Sequence, residues 1–220
     1  MARVRIFTGH FGSGKTEFAL NYAFKLAKTE EKVCLVDMDI VNPYFCSRDV
    51  REELEQSGIR LISSNPNLAN AELTVISPEV MAVFNDDSYE VVIDVGGDDL
   101  GAVALGQFNA YFRKEPYDMY FVVNTNRPFT AHRSQIVDYI QTVERASRLK
   151  VTHLIANTNL SFETTMSDVL RGDELVSEMA DELNLPHSFT GCPADLRKEA
   201  EGRVRAPLFE LKLYMKTPWM

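Results

Sequence analysis

The chain has 220 residues, 45% of them hydrophobic and 25% charged, which suits one α/β domain with a sizeable core. The 32 acidic residues outnumber the 23 basic ones, and the net charge of −9 argues against a large nucleic-acid interface, because an acidic surface repels phosphate backbones. No apolar run approaches the roughly 20 residues of a membrane helix, and the apolar stretch at the N-terminus is too short for a signal peptide. We therefore expect no membrane span and a cytoplasmic location.

Short apolar runs alternate with amphipathic helical patterns along the chain. Strands are predicted at residues 4–8, 32–37, 60–63, 90–95, 119–124, 152–157 and 188–190. Several of these runs are continuously apolar, which is typical of parallel strands that are covered on both faces.

The helical patterns between the strands have their own start and stop signals. Residues 14–29 carry an apolar stripe with a period of 3.6 residues. Ser77, directly before a proline, indicates a helix start, and Thr130 is a candidate cap for another helix. A helix near residues 165–184 is predicted to be interrupted at Gly172.

The alternation of strands and helices predicts the α/β class: a doubly wound, mainly parallel sheet of about seven strands, flanked by helices. We assign residues 1–204 to this domain. Residues 205–220 contain Pro207 and Pro218 and fit no βα unit, so we expect a C-terminal tail that packs on the domain or on a partner.

The three cysteines are Cys34, Cys46 and Cys192. They form no CxxC pair and have no spacing typical of a metal site. We expect free thiols in a reducing compartment, with Cys34 in the core.

A glycine-rich segment follows the first predicted strand. It fits the pattern G-x-x-x-x-G-K-[ST] of a phosphate-binding loop, since glycines let backbone N–H groups approach phosphate oxygens and a helix N-terminus adds positive charge. Lys15 is expected to reach the β- and γ-phosphates, and Thr16 to place its hydroxyl on Mg²⁺. The predicted nucleotide contacts in this segment are Gly9, Gly12, Ser13, Gly14, Lys15, Thr16 and Glu17.

A phosphate loop needs an acidic residue at the end of a nearby strand to hold the hydration shell of Mg²⁺. Asp94 ends a predicted strand before Gly96 and Gly97, as in a Walker B strand that runs into a loop sensing the γ-phosphate. Asp37 and Asp39 end another strand, and their spacing puts both on one side of an extended chain. They could face one metal or water, or serve ordinary turn chemistry.

The triplet Asn-Thr-Asn occurs twice after apolar strands, at residues 124–126 and 157–159. In an open α/β sheet both copies would lie at the carboxyl ends of strands, on the ligand-binding edge. A chance repetition explains the pattern equally well.

These motifs, in this order, resemble the CobQ/CobB/MinD/ParA family of nucleotide-binding proteins over residues 3–200. The resemblance rests on residues 9–16, 37–39, 94–97, 155–157 and 191–195. It implies ATP bound with Mg²⁺ and, as in many members, ATP hydrolysis in a nucleotide-sandwich dimer.

The resemblance also implies roles for single residues. Asp39 would orient or polarise the attacking water within a switch I, Asp94 would support Mg²⁺ through water, and Gly97 would belong to switch II. Asn157 would contact the adenine, and the loop of Pro193 would cover the base. The implied catalytic set is therefore Lys15, Asp39 and Asp94, and the metal set is Thr16, Asp39 and Asp94.

One position departs from the family pattern. MinD- and ParA-type proteins carry a signature lysine directly after the first loop glycine, and this chain has His10 there. A histidine carries no permanent charge at pH 7. Arg48, Arg127 and Arg133 are candidates to supply the missing charge, and a loop histidine turned to solvent is the plain alternative.

The motifs lead to a Mg²⁺-dependent ATP-binding protein, a slow ATPase or nucleotide switch of the MinD/ParA type. ATP is favoured because the chain has no Asn-Lys-x-Asp run to read guanine.

The alternative is an ATP-dependent small-molecule kinase or ligase of the CobB/dethiobiotin synthetase type, with residues 63–77 as an acceptor wall or a plain surface loop. The third hypothesis is a nucleotide-gated adaptor that forms a homodimer or binds a protein partner through Phe108, Tyr111 and Phe112, although core packing explains these aromatics better.

Overall fold

A computed structural model describes residues 2–38, 48–63 and 78–215, without the side chains of residues 48 and 49. Asp39 and the predicted switch I, Cys46, Ser77 and nearly all of the predicted acceptor wall lie outside the described residues.

The strands of the described residues form a single parallel sheet in the order β3-β2-β4-β1-β5-β6-β7-β8. They are β1 (Val4–Thr8), β2 (Val33–Met38), β3 (Ile59–Ser63), β4 (Glu90–Val95), β5 (Tyr117–Val123), β6 (His153–Ala156), β7 (His187–Pro193) and β8 (Leu208–Leu211). The predicted doubly wound parallel sheet is confirmed. β1 and β4 have the predicted bounds, and the other five predicted strands differ by at most three residues at either end.

Helices connect the strands and cover both faces of the sheet. They are α1 (Lys15–Leu26), α2 (Arg48–Gln56), α3 (Pro78–Phe84), α4 (Asp99–Gly106), α5 (Asn109–Phe112), α6 (Arg133–Ser147), α7 (Met166–Leu183) and α8 (Arg197–Ala200). Within the described ranges, no helix is both long and apolar enough to cross a membrane.

Side chains that alternate along the strands divide between two buried layers. On one face, Val91 and Ile93 of β4 pack among apolar residues of α4, α6 and α7. On the other face, Val92 packs with Phe18 and Tyr22 of α1. Helix α1 therefore lies directly against the central strands, and its N-terminus is held at their carboxyl ends.

The predicted aromatic face belongs to the core. Phe108 and Phe112 are buried, and Tyr111 packs against the same cluster. The rings of all three lie against Phe84, with centroids 4.7–5.7 Å away. Core packing, the interpretation that the sequence favoured, therefore accounts for these side chains.

The two described cysteines are buried. Cys34 lies in the core as predicted, and burial raises the pKa of its thiol to about 12. Burial likewise raises the pKa of the Cys192 thiol to about 11. Both thiols are therefore protonated and poor nucleophiles at neutral pH.

Two predictions about helices are wrong, one about a helix start and one about a break within a helix. Thr130 lies in a short 3-10 helix and donates its hydroxyl to Asn124 O at 2.6 Å, whereas α6 begins three residues later with His132 as its N-cap. Helix α7 runs through Gly172 without interruption. A Cβ there would lie 2.3 Å from Thr158 Oγ1, so the glycine permits close packing on the sheet rather than a break.

The eighth strand lies in the segment predicted as a tail. β8 pairs in parallel with β7, from Thr190 opposite Leu208 to Pro193 opposite Leu211. Its four residues are too few to show a periodicity, and Pro207, directly before it, is a residue that usually interrupts regular secondary structure.

Candidate nucleotide-binding site

The phosphate-loop motif connects the end of β1 to the start of α1. Its turn is closed by the Ser13 N–H, which donates to His10 O at 3.0 Å. Gly14 is the N-cap of α1 and has φ +83°. A Cβ at Gly14 would also lie 2.3 Å from Asn157 Nδ2, so both the dihedral angle and the space require glycine.

Both Asn-Thr-Asn triplets donate hydrogen bonds to backbone carbonyls of this loop. Asn157 donates from Nδ2 to Ser13 O at 2.8 Å, and Asn124 donates from Nδ2 to Gly12 O at 3.2 Å. The triplets also contact each other, since the hydroxyls of Thr125 and Thr158 lie 2.9 Å apart. The triplets follow the neighbouring strands β5 and β6 at the edge predicted for ligands, so the repetition has a structural role.

The last two residues of the motif lie in the first turn of α1, and Thr16 contacts the carboxyl end of β4. Thr16 donates its hydroxyl to Asp94 Oδ2 at 2.7 Å, and Lys15 is buried in the first turn of α1. Asp37 and Asp94 are register partners on the adjacent strands β2 and β4, and both are buried. Partners in a parallel pair share a face of the sheet, and this face is the one that α1 covers.

A pocket opens beside the loop at the start of α1. Together with the open solvent at its mouth, it spans about 430 Å³. The residues that line it are Gly14, Glu17, Asn157, Asn159, Ser161, Thr164, Gly191, Pro193, Leu211 and Leu213. The structure thus brings together four predicted site residues, Gly14, Glu17, Asn157 and Pro193, around one opening.

His10 packs against aromatic residues of this chain. Its ring centroid lies 4.9 Å from that of Tyr139 and 5.4 Å from that of Phe129. Tyr139 donates its hydroxyl to Gly97 O at 2.8 Å, and a Cβ at Gly97 would lie 2.7 Å from Phe11 N. The phosphate loop, the predicted switch II glycine and α6 are therefore in direct contact.

Of the three arginines considered as substitutes for the missing lysine, one reaches the loop. Arg127 donates from Nε to Gly12 O at 3.1 Å. Arg133 instead pairs with Glu178 and Glu182 on α7, and the side chain of Arg48 lies outside the described residues. The geometry therefore favours Arg127.

Three residues around the loop were missed or left undecided by sequence reasoning. Asn124 could have been assigned from the repeated triplet, which already pointed to this edge. Arg127 and Tyr139 gave no sequence signal of their own, because their contacts with Gly12 and Gly97 join segments that are distant in the chain.

The charge and polarity of the loop suit a phosphate group. Among the described atoms, Ser13 Oγ is buried and has no hydrogen-bond partner. The first N–H groups of α1 have no acceptor within the helix, and Gly14 has no side chain with which to accept from them. An anion at this position would provide acceptors for these donors.

The residues that could hold a metal lie beside the phosphate loop. Among the described residues, no group of three or more acidic, histidine or cysteine side chains forms a cluster that could hold a metal by itself. Mg²⁺ usually takes one or two carboxylates together with substrate phosphates. Thr16 and Asp94 fit that arrangement.

Comparison with solved structures gives the fold. No sequence family model matches the chain, and no curated protein matches it. The signal recognition particle receptor FtsY of Elizabethkingia anophelis, in complex with GDP, is 17% identical with a TM-score of 0.52, over 86% of this chain and 56% of that one. The chain thus spans little more than half of that receptor.

Two further structures match over most of both chains. One is a nucleotide-binding protein from Archaeoglobus fulgidus in complex with ADP, at 16% identity and TM-score 0.51, covering 89% of this chain and 85% of that one. The other, described as a plasmid partition protein from Borrelia burgdorferi bound to AMPPNP, has 15% identity and TM-score 0.52, covering 88% and 87%. At these identities the likeness shows the fold, which is that of the P-loop NTPases.

Proposed function

We propose that the protein binds ATP with Mg²⁺ at the phosphate loop and acts as a slow ATPase or nucleotide switch of the MinD/ParA-like type. The observation that carries this proposal is the 2.7 Å hydrogen bond from Thr16 to Asp94. It joins the last residue of the loop motif to Asp94, the penultimate residue of β4, 78 positions later in the chain. These two residues belong to separate motifs, and the sequence predicts that both support the same Mg²⁺.

The phosphate chain would occupy the concave side of the loop. The N-terminal N–H groups of α1 and the Ser13 hydroxyl would donate to its oxygens, and Lys15 would contribute a positive charge. Because the loop is already held by Asn124 and Asn157, little ordering is required when the nucleotide binds, which favours affinity.

Bound Mg²⁺ would neutralise negative charge on the phosphates. Thr16 and Asp94 are the described residues that would hold it, and Asp37 lies beside Asp94 in register. Two neighbouring carboxylates repel each other, and a cation relieves that repulsion. Asp39 is proposed as the residue that orients the attacking water.

The base would lie in the pocket beside Gly14, between Asn157 and Pro193. Adenine is proposed because the chain lacks the run that reads guanine. The three comparison structures hold ADP, AMPPNP and GDP, so a purine nucleotide suits the fold, and ATP is the specific proposal.

The test is ATP binding by purified protein, measured by calorimetry with and without Mg²⁺. We expect Lys15→Ala to weaken ATP binding by at least tenfold, while the matched variant of an exposed lysine just beyond the C-terminal end of α1, Lys28→Ala, binds as wild type does. Equal ATP affinity in wild type and Lys15→Ala would refute the proposal. ATP hydrolysis in the same samples tests the catalytic part, and ADP must accumulate only where Lys15 is intact.

An ATP-dependent kinase or ligase is the second candidate, and His10 is the observation that favours it. The position of the signature lysine holds a ring that packs against Tyr139 and Phe129 of the same chain, rather than a cation that reaches a partner's nucleotide. Screening small-molecule acceptors for ATP consumption above the basal rate separates the candidates. A stimulating acceptor supports the kinase or ligase, and a mass increase to a dimer with ATP analogue supports the MinD/ParA-like switch.

A further inference from the structure

Residues 205–215, here named the C-terminal strap, are built into the domain by backbone contacts. The strap contains β8, which extends the sheet beyond β7, and it then crosses α1. Lys212 is paired with Asn21 of α1 in both directions: Lys212 N donates to Asn21 Oδ1 at 2.9 Å, and Asn21 Nδ2 donates to Lys212 O at 2.8 Å.

Two carboxylates hold the strap at its ends. Asp173 of α7 is buried and accepts from the N–H groups of Arg205, at 2.7 Å, and Ala206, at 3.3 Å. Glu17 of α1 accepts from Tyr214 N at 3.0 Å and Met215 N at 2.7 Å. Burial raises the pKa of Glu17, and these backbone hydrogen bonds oppose that rise.

Three of the α1 residues that contact the strap lie on one stripe of the helix, beside Phe18 and Tyr22, which contact Phe209 of the strap. Glu17, Asn21 and Phe24 follow the i, i+4, i+7 spacing of a single helix face, and the Phe24 ring stacks on Tyr214 at 4.9 Å. Glu17 directly follows Thr16, so the strap ends beside the phosphate loop. The helix that carries the loop also fixes the position of the strap.

The strap forms the apolar side of the pocket beside the loop. Leu211 and Leu213 line it, and their i, i+2 spacing puts both side chains on one side of an extended chain. Leu213 is 51% exposed, so its side chain is accessible to a ligand in the pocket. The remaining wall carries the polar side chains of Asn159, Ser161 and Thr164.

We infer that the strap is the surface on which the purine ring of the bound nucleotide packs, with Leu211 and Leu213 against the face of the ring and Asn21 as the residue that positions the strap. This inference rests on the proposed function, since it concerns the base of the nucleotide whose phosphates the loop would hold. It assigns the strap a part in binding the base, whereas the phosphate chain of the nucleotide would be bound separately by the loop.

The separation of base and phosphate contacts gives a direct test. Wild-type protein, Leu213→Ala and Asn21→Ala are titrated calorimetrically with ADP and with pyrophosphate, in Mg²⁺. Met81→Ala is the matched control. It shortens another exposed apolar side chain, on α3, which does not line the pocket. Circular dichroism and thermal melting establish that each variant is folded.

We expect wild type to bind ADP more tightly than pyrophosphate, and Leu213→Ala to lose about tenfold in ADP affinity, which corresponds to the apolar contact of one side chain. Pyrophosphate affinity should stay within twofold of wild type in both variants, and Asn21→Ala should lose ADP affinity in the same selective way. Met81→Ala should match wild type for both ligands.

The failures of the two proposals differ. If wild type binds neither ADP nor pyrophosphate, the proposed function fails. If wild type binds both and Leu213→Ala retains full ADP affinity, or loses both ligands equally, the strap inference alone is overturned. An Asn21→Ala variant that behaves as wild type overturns the positioning role of Asn21.

Discussion

The side-chain amide of Asn157 donates to the carbonyl of Ser13 at 2.8 Å, and so joins the end of β6 to the middle of the phosphate loop. The amide is buried and also lies directly behind Gly14. The side chain that the sequence predicts to contact the nucleotide base is thus the one that contacts the loop in the structure. Asn157 therefore links the proposed base pocket to the phosphate loop.

Replacing Asn157 by alanine tests this relationship. We expect Asn157→Ala to lower the free energy of unfolding by about 1–3 kcal/mol, because Ser13 O becomes a buried acceptor without a donor. ATP affinity should fall as well, since the loop is no longer held in shape. Chemical denaturation and calorimetry measure the two effects, and Asn85→Ala at an exposed position should change neither. Unchanged stability in Asn157→Ala would contradict the supporting role.

Gly14 and Gly202 form a matched pair for the loop geometry. Both have positive φ, +83° and +75°, but a Cβ at Gly14 meets Asn157 whereas one at Gly202 meets nothing within 4 Å. Gly202→Ala should cost about 1–2 kcal/mol of stability from the dihedral angle alone and leave ATP binding intact. Gly14→Ala should cost more and abolish ATP binding. Thermal melts and calorimetry on the two variants test this, and equal behaviour would disprove the steric argument.

The sequence predicts the sheet well because several of the buried parallel strands are continuous apolar runs. Tyr120, Phe121 and Val122 in β5 show this most clearly. β8 was missed because pairing with β7 and packing against α1, not a recognisable pattern of its own, make it a strand. The break expected at Gly172 was wrong because packing against Thr158, which the sequence does not reveal, accounts for that glycine.

The candidate site was predictable where its chemistry lies in local motifs. Lys15 and Thr16 have the spacing of a phosphate-loop motif, and Asp94 follows an apolar run before two glycines. Contacts between distant segments gave no such pattern: Tyr139 reaches Gly97 across 42 positions, and Arg127 reaches Gly12 across 115. Only the fold selects Arg127 over Arg133 as the charge beside the loop.

Arg127 is expected to contribute positive charge to the bound phosphates. Its Nε bond to Gly12 O holds the guanidinium over the loop, and charge-assisted hydrogen bonds are the stronger ones. We expect Arg127→Ala to weaken ATP binding about tenfold and ADP binding less. Arg127→Lys should restore little, because lysine cannot keep the bond to Gly12 and also reach the phosphates.

Arg133 is the control for Arg127, because its side chain forms ion pairs on α7 instead of contacting the loop. Arg133 pairs with Glu178 and Glu182, so Arg133→Ala should leave ATP and ADP affinities within twofold of wild type. Calorimetric titration of each variant with both nucleotides is the measurement. A larger loss of ATP affinity in Arg133→Ala than in Arg127→Ala would reverse the assignment.

Asp168 should make the stability of the fold depend on pH in the acid range. Burial alone would raise the pKa of this carboxyl, but hydrogen bonds from Thr165, Asn126 and Arg171 outweigh it and hold the pKa at about 2, below the usual 3.8. Because the pKa is lower in the folded state, the unfolded chain binds the proton more readily. The contribution to stability is therefore complete above about pH 4 and is lost as the pH falls towards 2.

Urea unfolding of wild type and Asp168→Asn between pH 6 and pH 2.5 measures this contribution. We expect Asp168→Asn to be less stable at pH 6 by about 2 kcal/mol, the free energy of a shift of nearly two pKa units, and the difference should shrink as the pH falls. Asp138→Asn, at an exposed position on α6, should follow the wild-type curve. A difference that stays constant down to pH 2.5 would show that Asp168 stabilises α7 through packing or capping rather than through its charge.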